Sequence, residues 1–402
     1  MFTEYSINGH WFILFLTLIV LIHLGLEMWR HQQRLKGIKY RIHVNGTRGK
    51  SSVARLIAAG LRSGNLKTVC KTTGTMARYI DSKGVETPLI RIGRTNIIEQ
   101  VTVIKKAAKE KPVALVIECM AVQPLLQSLC ELKLVRSTHG VLCNARADHL
   151  DVMGPTEKDV ALALAGTMPV NGIFITPEKK YLSIFKYAAK DRGSRIITVD
   201  EPDINQLTDD EMGKFSYLEY KENVALALMV CVQCGIKRDK ALEGMWEATP
   251  DPGALIVKTI VYKGKQITFA NGFAANDPES TEQLWQKVTS KFSDIDTVVA
   301  LVNCREDRAD RSKQMAESMI NWQKNSHVLV IGSGTECFIK SLKKTYAIEV
   351  TKGEFWSVEL VLDHLITLSN DDRILAIGVC NIAAIGFELL NYFCSQGSVA
   401  HD

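Results

Sequence analysis

The 402-residue chain is long enough for two domains, and its hydrophobic fraction of 46% and charged fraction of 23% are ordinary for a globular protein. A formal net charge of +5, without any run of five or six basic residues, argues against a dedicated nucleic-acid binder and predicts no nucleic-acid partner. The ten cysteines follow no regular spacing and mostly lie in apolar stretches, which indicates reduced core cysteines. Cys231 and Cys234 form a lone CxxC in a helix-like run, which is more typical of a core than of a metal or redox site.

The first segment of the chain is apolar from Trp11 to Leu26 and extends to Trp29. About twenty apolar residues span a bilayer as a helix, and tryptophans are typical of the two ends of such a span. No lysine or arginine precedes the segment, and five basic residues follow it: Arg30, Arg34, Lys36, Lys39 and Arg41. The positive-inside rule then places the rest of the chain in the cytoplasm, and the same charge distribution argues against a cleaved signal peptide. We therefore predict a single-pass protein of the cell membrane, with residues 1–36 as the anchor and basic juxtamembrane segment.

Beyond the anchor, short apolar runs typical of strands alternate with helical stretches. The strand-like runs are YRIHVNG, KTVCKTTGT, KPVALVIECMA, THGVLCN, NGIFITP and SRIITVD, followed by KQITFANGF, DTVVALVNC, SHVLVIGSG and DRILAIGVC. This alternation predicts an α/β fold with mainly parallel sheets. The turn-rich segment EATPDPGAL, Glu247 to Leu255, predicts the joint between a central domain, residues 37–250, and a smaller C-terminal Rossmann-like α/β domain, residues 251–402.

The stretch VNGTRGKSSV is similar to a phosphate-binding loop, although the first glycine of the full Walker pattern is replaced by Val44. The stretch follows a strand-like run and opens a helix-like run, which is the context that a phosphate loop requires. We interpret Val44 as the last strand residue and Gly46 as the first glycine of a shorter, complete loop. Backbone N–H groups of residues 46–51 would wrap a phosphate, Lys50 would reach the outer phosphates, and the Ser51 hydroxyl would hold Mg²⁺. An ordinary surface turn is the alternative interpretation.

Two further polar residues follow strand-like runs, at the strand ends where open α/β sheets bind ligands. Glu118 ends the run VALVIE, and a carboxylate there loses hydration unless a cation or hydrogen-bond donors satisfy it. Mg²⁺ beside the phosphates would satisfy it. His149, in NARADHLD, is a candidate ligand of the same ion, and a capping or hydrogen-bonded histidine is the alternative.

Together these motifs resemble those of the Mur ligase and folylpolyglutamate synthetase superfamily. The features that carry the resemblance are the short GTRGKS loop, the strand-end Glu118 and the N-x-x-x-D-H-L-D pattern from Asn144 to Asp151. In the second half, NGFAANDPEST is similar to the superfamily's D-x-Y-x-x-N-P-x-S stretch, and NCREDRADRS resembles its nucleotide-side segment. Nearly the whole chain is similar to the ligase subunits of poly-γ-glutamate synthases (the PgsB/CapB type), which share the single span and runs such as KTTGT, ECMAV, PDPGA and NGFAAND.

The resemblance implies an ATP-dependent amide ligase that activates a glutamate γ-carboxylate as an acyl phosphate and builds poly-γ-glutamate, as in capsule biosynthesis. It implies ATP and Mg²⁺ as cofactors, Lys50, Glu118 and His149 as catalytic residues, and Ser51, Glu118 and His149 as metal ligands. The residues implied to bind the nucleotide are Gly46, Thr47, Arg48, Gly49, Lys50, Ser51, Ser52, Asn271, Asn276, Arg305, Asp307 and Arg308. Candidates to hold the substrate carboxylates are Lys71, Arg78, Arg91 and Arg94, with ordinary solvated surface charge as the alternative.

The resemblance also implies partners. They are glutamate and the growing poly-γ-glutamate chain, an integral-membrane subunit of the PgsC/CapC type and an accessory protein of the PgsA/CapA type. Association with further copies of the same chain, as a homo-oligomer, also stays open. Two alternative functions also stay open: a Mur- or folylpolyglutamate-type ligase with another acceptor, and a non-catalytic ATP-binding module of a membrane complex.

The sequence departs from the wider superfamily at three positions. Leu164 stands where a lysine, often carbamylated, completes a second metal site. Ala254 replaces an arginine at the domain joint, and Asn271 replaces an aspartate that contacts the ribose. The candidates to supply the missing cation are Arg305, Arg308 and Arg311.

Overall fold

The structure is a computed structural model that describes residues 2–74, 77–91, 95–251, 254–275, 277–319, 322, 327–342, 349–369 and 372–399. Of the residues considered above, Arg94, Pro252, Gly253 and Asn276 lie outside the described residues. The chain divides into two compact units. The first comprises Met1–Thr208 and Lys221–Thr249, and the second comprises Asp209–Tyr220 and Pro250–Asp402.

The chain begins with one long helix, α1 (Phe2–Lys36). Its stretch from His10 to Lys36 has a mean hydropathy of 2.2 and is long and apolar enough to cross a membrane. The large apolar side chains from Trp11 to Trp29 are exposed, whereas His31 and Leu35, near the end of the helix, are buried. The outer part of α1 therefore offers an apolar surface, and its base belongs to the core of the first unit.

The first unit is built on one eight-stranded sheet. Its strands are β1 (Tyr40–Asn45), β2 (Thr68–Thr72), β3 (Arg78–Ile80), β4 (Glu86–Pro88), β5 (Ala114–Glu118), β6 (His139–Leu142), β7 (Ile173–Thr176) and β8 (Arg195–Thr198). They lie in the order β4-β3-β2-β5-β1-β6-β7-β8, in which β2, β5, β1, β6, β7 and β8 are parallel and the hairpin strands β3 and β4 are antiparallel. The strand that precedes the candidate phosphate loop, β1, is therefore central and buried between β5 and β6.

Helices follow most of these strands along the chain. The helices are α2 (Lys50–Ser63), α3 (Glu99–Lys109), α4 (Pro124–Leu129), α5 (Leu150–Met153), α6 (Glu157–Leu164), α7 (Leu182–Arg192), α8 (Glu201–Asn205), α9 (Asp209–Gly213, in the second unit), α10 (Lys221–Gln233) and α11 (Arg238–Trp246). A π-helix, Cys130–Val135, follows α4, and a 3₁₀ turn, Ala165–Thr167, follows α6. Helix α2 is buried from Val53 to Leu61, so the helix that opens at the phosphate loop is fixed in the core along most of its length.

The second unit has a seven-stranded sheet in the order β13-β12-β11-β14-β10-β9-β15. The strands are β9 (Val257–Tyr262), β10 (Lys265–Asn271), β11 (Thr297–Cys304), β12 (His327–Gly332), β13 (Glu349–Glu354), β14 (Arg373–Val379) and β15 (Ser398–Val399). Strands β10 to β14 are parallel, and β9 and β15 are antiparallel to their neighbours. The helices are α12 (Pro278–Lys291), α13 (Ala309–Ser318), α14 (Thr335–Ser341), α15 (Val358–Thr367) and α16 (Ile385–Gln396), with a 3₁₀ turn at Glu306–Arg308. Apolar clusters that include Trp285 and Phe269 fill its core.

The predicted α/β class with mainly parallel sheets is confirmed, and a strand lies in every strand-like run named above. Strand β1 ends at Asn45, one residue later than predicted, because Asn45 still pairs with Leu142 of β6 and its carbonyl accepts a hydrogen bond from the Cys143 N–H at 2.9 Å. The β3–β4 hairpin was not predicted, since strands of three residues carry too little alternation to read. Cys231 and Cys234 are buried with free thiols, as expected of core residues.

Candidate active site

The candidate phosphate loop joins β1 to α2 through residues 46–49. Gly46 and Gly49 have φ angles of 136° and 81°, a region that favours glycine. A Cβ atom on Gly46 would lie 3.0 Å from the Cβ of Cys143, and one on Gly49 would lie 2.8 Å from Oδ1 of Asn223. The glycines therefore allow the loop to turn tightly against its neighbours. The first N–H groups of α2, which have no partner within the helix, then point toward the space where an anion can bind.

Asn144, which follows β6, braces this loop. Its Oδ1 accepts hydrogen bonds from the Thr47 hydroxyl at 2.6 Å and from the Arg48 N–H at 3.0 Å, and its Nδ2 donates to the Arg48 carbonyl at 3.1 Å. The Arg146 N–H also donates to the Thr47 hydroxyl, at 3.1 Å. The first residue of the N-x-x-x-D-H-L-D pattern thus shapes the phosphate loop. The sequence pattern indicates its histidine as a candidate ligand and does not indicate this bracing role of Asn144.

Lys50 is folded back onto the loop that precedes it. Its Nζ donates to the carbonyl oxygens of Gly46 and Thr47 at 2.6 and 3.2 Å. These two carbonyls hold the ammonium group beside the loop. The ammonium group would exchange them for the oxygens of a bound phosphate, because hydrogen bonds to a charged acceptor are stronger than those to a neutral one.

Ser51 and Glu118 lie in direct contact. The Ser51 hydroxyl donates to Oε2 of Glu118 at 2.8 Å, and the same oxygen accepts from the Thr73 N–H at 2.6 Å. Glu118 is buried at the end of β5, where it lies opposite Val44 of β1. The parallel pairing of these two strands therefore brings the carboxylate to the phosphate loop, as the sequence predicts for two neighbouring strand ends.

Ser51 and Glu118 together offer oxygen ligands of the kind that Mg²⁺ prefers. Mg²⁺ is usually bound through one or two carboxylates together with water and substrate phosphates, and these two side chains fit that pattern. Within the described part of the chain, no three His, Cys, Asp or Glu side chains are grouped to hold a metal ion by themselves. The arrangement fits an ion that is shared with a nucleotide and not a closed protein cage.

His149 lies in the neighbouring loop, at the start of α5. Its Nε2 is 4.0 Å from Oδ1 of Asp148, and its side chain is 34% exposed. The Arg48 guanidinium contacts the same Asp148 carboxylate at 3.4 Å. Ser52 is the third residue of α2 and is half-buried. The structure therefore joins Ser51 to Glu118 and places Arg48 and His149 together around Asp148.

Lys71 and Arg91 converge on Glu99, a carboxylate that the sequence did not single out. The Lys71 side chain is fully buried, and its Nζ lies 3.0 Å from Oε1 of Glu99. Arg91 Nε lies 2.5 Å from Oε2 of the same residue. Burial lowers the pKa of Lys71, and Glu99 and Glu118 oppose this effect only in part. The interpretation of Lys71 as a solvated surface charge is therefore wrong.

Leu164, which stands at the usual lysine position, is fully buried. It packs in an apolar cluster that includes Val160, Phe174 and Phe185. Since this position is part of the hydrophobic core, it cannot contribute a ligand to a metal ion.

A buried ion pair supports β1 beneath the phosphate loop. His43 Nδ1 lies 2.7 Å from Oε2 of Glu131 in the π-helix, and both side chains are almost fully buried. The other carboxylate oxygen of Glu131 accepts from the N–H and hydroxyl of Ser137, at 2.7 and 2.9 Å. Burial lowers the pKa of His43, but its interactions with Cys119 and Glu131 more than offset this effect and raise the pKa to about 10. The histidine is therefore charged and paired at neutral pH.

In the second unit, the residues that were predicted to bind nucleotide and are described in the structure, Asn271, Arg305, Asp307 and Arg308, lie at or just after the carboxyl ends of β10 and β11. Asn271, the buried last residue of β10, donates through Nδ2 to the Ala254 carbonyl at 3.1 Å. Arg305 follows β11 and pairs with Asp307 at 2.7 Å. Arg308 is exposed at the end of the 3₁₀ turn.

Arg311, on α13, contacts a residue that follows β14. Its Nη1 donates to Oδ1 of Asn381 at 2.8 Å. The side chain of Asn381 is held in turn by Asn303, whose carbonyl accepts from it at 3.3 Å. Of the three arginines considered for the missing cation, Arg311 is thus fixed across the ends of two central strands, whereas Arg305 pairs with its near neighbour Asp307.

Two protein-family models match the chain. The Mur ligase middle domain matches residues 44–229, and the poly-gamma-glutamate synthase CapB C-terminal domain matches residues 257–396. Together the two matches include the candidate phosphate loop, Glu118, His149 and the strand ends of the second unit.

Solved folylpolyglutamate synthases share the fold of this chain. The Escherichia coli FolC structure in complex with ADP has a TM-score of 0.68 at 15% identity, and covers 92% of this chain and 93% of that one. The bifunctional folylpolyglutamate synthase/dihydrofolate synthase of Yersinia pestis, solved with AMPPNP and Mn ion, also has a TM-score of 0.68, at 14% identity over 91% of this chain and 92% of that one.

Two named relatives are similar over most of the chain. The capsule biosynthesis protein CapB of Bacillus anthracis is 39% identical over 352 residues, which cover 87% of this chain and 74% of that protein. The PGA synthase CapB of Bacillus subtilis (strain 168) is 36% identical over 337 residues, which cover 83% of this chain and 85% of that protein. On this identity and on the two domain matches, the chain belongs to the CapB-type poly-γ-glutamate synthase family of Mur ligase-like proteins.

Proposed function

We propose that this chain is an ATP-dependent ligase that joins glutamate through its γ-carboxyl group to build poly-γ-glutamate. The observation that carries the proposal is the 39% and 36% identity to two CapB proteins, one of them named a PGA synthase, over more than four-fifths of the chain. The solved folylpolyglutamate synthases share the fold, and the two described above were solved with ADP and with AMPPNP and Mn ion. The contact between Ser51 and Glu118 beside a glycine-rich loop gives the chain the local chemistry that such a reaction needs.

In the proposed reaction, a glutamate γ-carboxylate attacks the γ-phosphorus of ATP, which forms an acyl phosphate and releases ADP. The amino group of a second glutamate then attacks the acyl carbon, and inorganic phosphate leaves as the amide forms. The reaction brings several anions together, so the task of the protein is mainly to position them and to neutralise their charge. We assign the backbone N–H groups of residues 46–51 to the phosphates, and Lys50 to the outer phosphates once it leaves the carbonyls of Gly46 and Thr47.

We assign Mg²⁺ to Ser51 and Glu118, with His149 as a further ligand. A bound divalent cation neutralises the charge that develops on the phosphates. The Thr73 N–H and the Ser51 hydroxyl both donate to Oε2 of Glu118, which fixes the carboxylate beside the loop. In the second unit we assign nucleotide binding to Asn271, Asn276, Arg305, Asp307 and Arg308. We also propose that the central domain comprises residues 37–250 and the C-terminal domain residues 251–402.

We further propose that α1 anchors the chain in the cell membrane as a single span, with both catalytic units in the cytoplasm. The exposed apolar stretch of α1 and the basic residues that follow it support this arrangement. A ligase whose polymer is exported would be expected to act at the membrane, where export takes place. We propose a multi-spanning subunit of the PgsC/CapC type and an accessory protein of the PgsA/CapA type as its partners.

The direct test of the function is glutamate-dependent release of ADP by the membrane-inserted chain and its partners. We expect Lys50→Ala to abolish this release, because the ammonium group that neutralises the outer phosphates is lost. Lys158→Ala is the matched control, since Lys158 is an exposed lysine of the same unit. Normal turnover in Lys50→Ala would refute the proposed role of the loop.

Deletion of residues 1–30 tests the anchor separately. The deletion removes the exposed apolar stretch but keeps His31 and Leu35, which are buried in the first unit. We expect the shortened chain to bind nucleotide and to leave the membrane fraction. Persistent sedimentation with lipid would contradict the proposed anchor.

A further inference from the structure

One edge of the first unit's sheet collects basic residues from separate parts of the chain. Strand β1 begins at Tyr40, directly after α1, and pairs in parallel with β5 and β6; β5 pairs in parallel with β2. The four strands therefore start at the same edge. The connections that enter this edge are residues 37–39, 64–67, 110–113 and 136–138, which lead into β1, β2, β5 and β6.

The base of α1 is fixed to this edge. His31 Nε2 lies 2.8 Å from the carbonyl oxygen of Leu134, at the end of the π-helix. The Arg41 guanidinium donates to the carbonyl oxygens of Leu35, Ile38 and Arg136, at 3.1, 2.7 and 2.8 Å. These contacts tie the last turns of the helix to β1 and to the connection before β6. The last turns of α1, which follow its exposed apolar stretch, therefore lie at this edge.

Each of the four connections presents one exposed basic side chain: Lys39, Lys67, Lys111 and Arg136. Their only acidic residue is Glu110, and its carboxylate accepts hydrogen bonds from the Tyr79 hydroxyl at 2.5 Å and the Ser82 N–H at 3.0 Å. The helices that end at this edge add three more exposed lysines, Lys36, Lys109 and Lys133. We call Lys39, Lys67, Lys111 and Arg136 the basic edge.

We propose that the basic edge binds the headgroups of anionic phospholipids in the bilayer that α1 crosses. This inference rests on the proposed membrane anchor. An anionic membrane surface attracts each nearby lysine or arginine, and the attraction decays within a Debye length of about 8 Å at physiological ionic strength. Because the base of α1 is packed against the unit at this edge, a bilayer crossed by α1 would lie close to these four side chains.

The binding would fix how the first unit stands on the membrane. Contacts of the four residues of the basic edge with anionic headgroups would hold the strands perpendicular to the membrane surface. The helix alone would leave the unit free to tilt. The phosphate loop lies at the opposite end of β1, about 20 Å away for a six-residue strand. The loop would then face the cytoplasm, where ATP and glutamate arrive.

The test is the rate at which a soluble, amine-reactive acylating reagent labels each lysine of the full-length chain in lipid nanodiscs. Discs of phosphatidylcholine alone are compared with discs that also contain phosphatidylglycerol, and labelling is read residue by residue by mass spectrometry. We expect Lys39, Lys67 and Lys111 to be labelled about fivefold more slowly in the anionic discs. This factor corresponds to the attraction between one basic residue and an anionic membrane surface. High salt should remove the difference. Lys158 and Lys186, exposed lysines of the same unit that lie outside these connections, are the internal controls and should label equally in both discs.

A pair of charge-reversal variants sharpens the test. Lys39→Glu combined with Lys111→Glu should restore fast labelling of Lys67 in anionic discs, whereas Lys158→Glu combined with Lys186→Glu, with the same change in net charge, should not. Equal labelling in the two kinds of disc, or slow labelling in both, would overturn the assignment to anionic lipid. A chain that enters neither kind of disc would instead refute the membrane anchor itself.

Discussion

The buried pair of His43 and Glu131 gives a prediction about the scaffold of the phosphate loop. His43 is on β1, three residues before Gly46, and Glu131 is in the π-helix that also contacts the base of α1. Replacement of Glu131 by alanine removes the partner of a charged, buried histidine and leaves the N–H and hydroxyl of Ser137 without their acceptor. We therefore predict that Glu131→Ala destabilises the first unit.

The expected magnitude follows from the burial of the pair. Both side chains are at most 1% exposed, so water cannot replace the lost carboxylate. Removal of one partner from a buried ion pair costs about 3–5 kcal/mol. For a domain of this size, each kcal/mol shifts the melting temperature by about 2–4 °C, so the first unit should melt roughly 6–20 °C lower.

The assay is thermal unfolding of the full-length chain in detergent, combined with limited proteolysis to identify which unit opens. Glu243→Ala is the control, because Glu243 pairs with Lys240 in a contact of which both side chains are about half exposed. Such surface pairs contribute about 0–1 kcal/mol, so the control should melt close to the wild type. A melting temperature of Glu131→Ala equal to that of the control would refute the reasoning.

Three further predictions concern pH, the metal and the loop. The folded-state pKa of His43 is about 10, above its ordinary value. Its stabilising contribution is therefore complete below about pH 6.5 and is lost as the pH rises toward 10. Denaturation midpoints measured across this range should fall more steeply for the wild type than for His43→Gln, and parallel slopes would contradict this. Glu118→Gln should raise the divalent-ion concentration that gives half-maximal ADP release by at least about tenfold while ATP-analogue binding without metal is retained; an unchanged metal requirement would exclude Glu118 as a ligand. Gly46→Ala forces a Cβ to within 3.1 Å of a neighbouring backbone nitrogen at a φ of 136°, so nucleotide binding measured by calorimetry should be lost, and wild-type affinity would show that the loop tolerates the change.

Much of the candidate site follows from local sequence. Glycine residues at 46 and 49 are needed because of their backbone angles, and a lysine and serine follow them at the start of a helix, so the loop can be recognised from ten residues. Glu118 was predicted to lie near that loop because parallel strands present their carboxyl ends at one edge, and its contact with Ser51 agrees with this.

Other parts of the site depend on residues far apart in the chain. The brace from Asn144 reaches Thr47 and Arg48, nearly a hundred positions earlier. The sequence allows Lys71 to be a contact of the substrate carboxylates or a solvated surface charge, and only the position of α3 shows that it is buried against Glu99. No local pattern reports such pairs, because they arise from the packing of whole elements.

Local sequence is enough to predict the class of fold, the apolar first helix, the phosphate loop and the resemblance to poly-γ-glutamate ligases, since each depends on residue types within short segments. The tertiary structure decided which charges are paired, buried or gathered on one surface. Lys39, Lys67 and Lys111 lie in three separate stretches of sequence. They meet in the basic edge only because β2, β5 and β1 are adjacent in the sheet and parallel. The physical reason is that periodicity and turn chemistry act over a few residues, whereas electrostatic neighbourhoods are set by the order in which the strands pair.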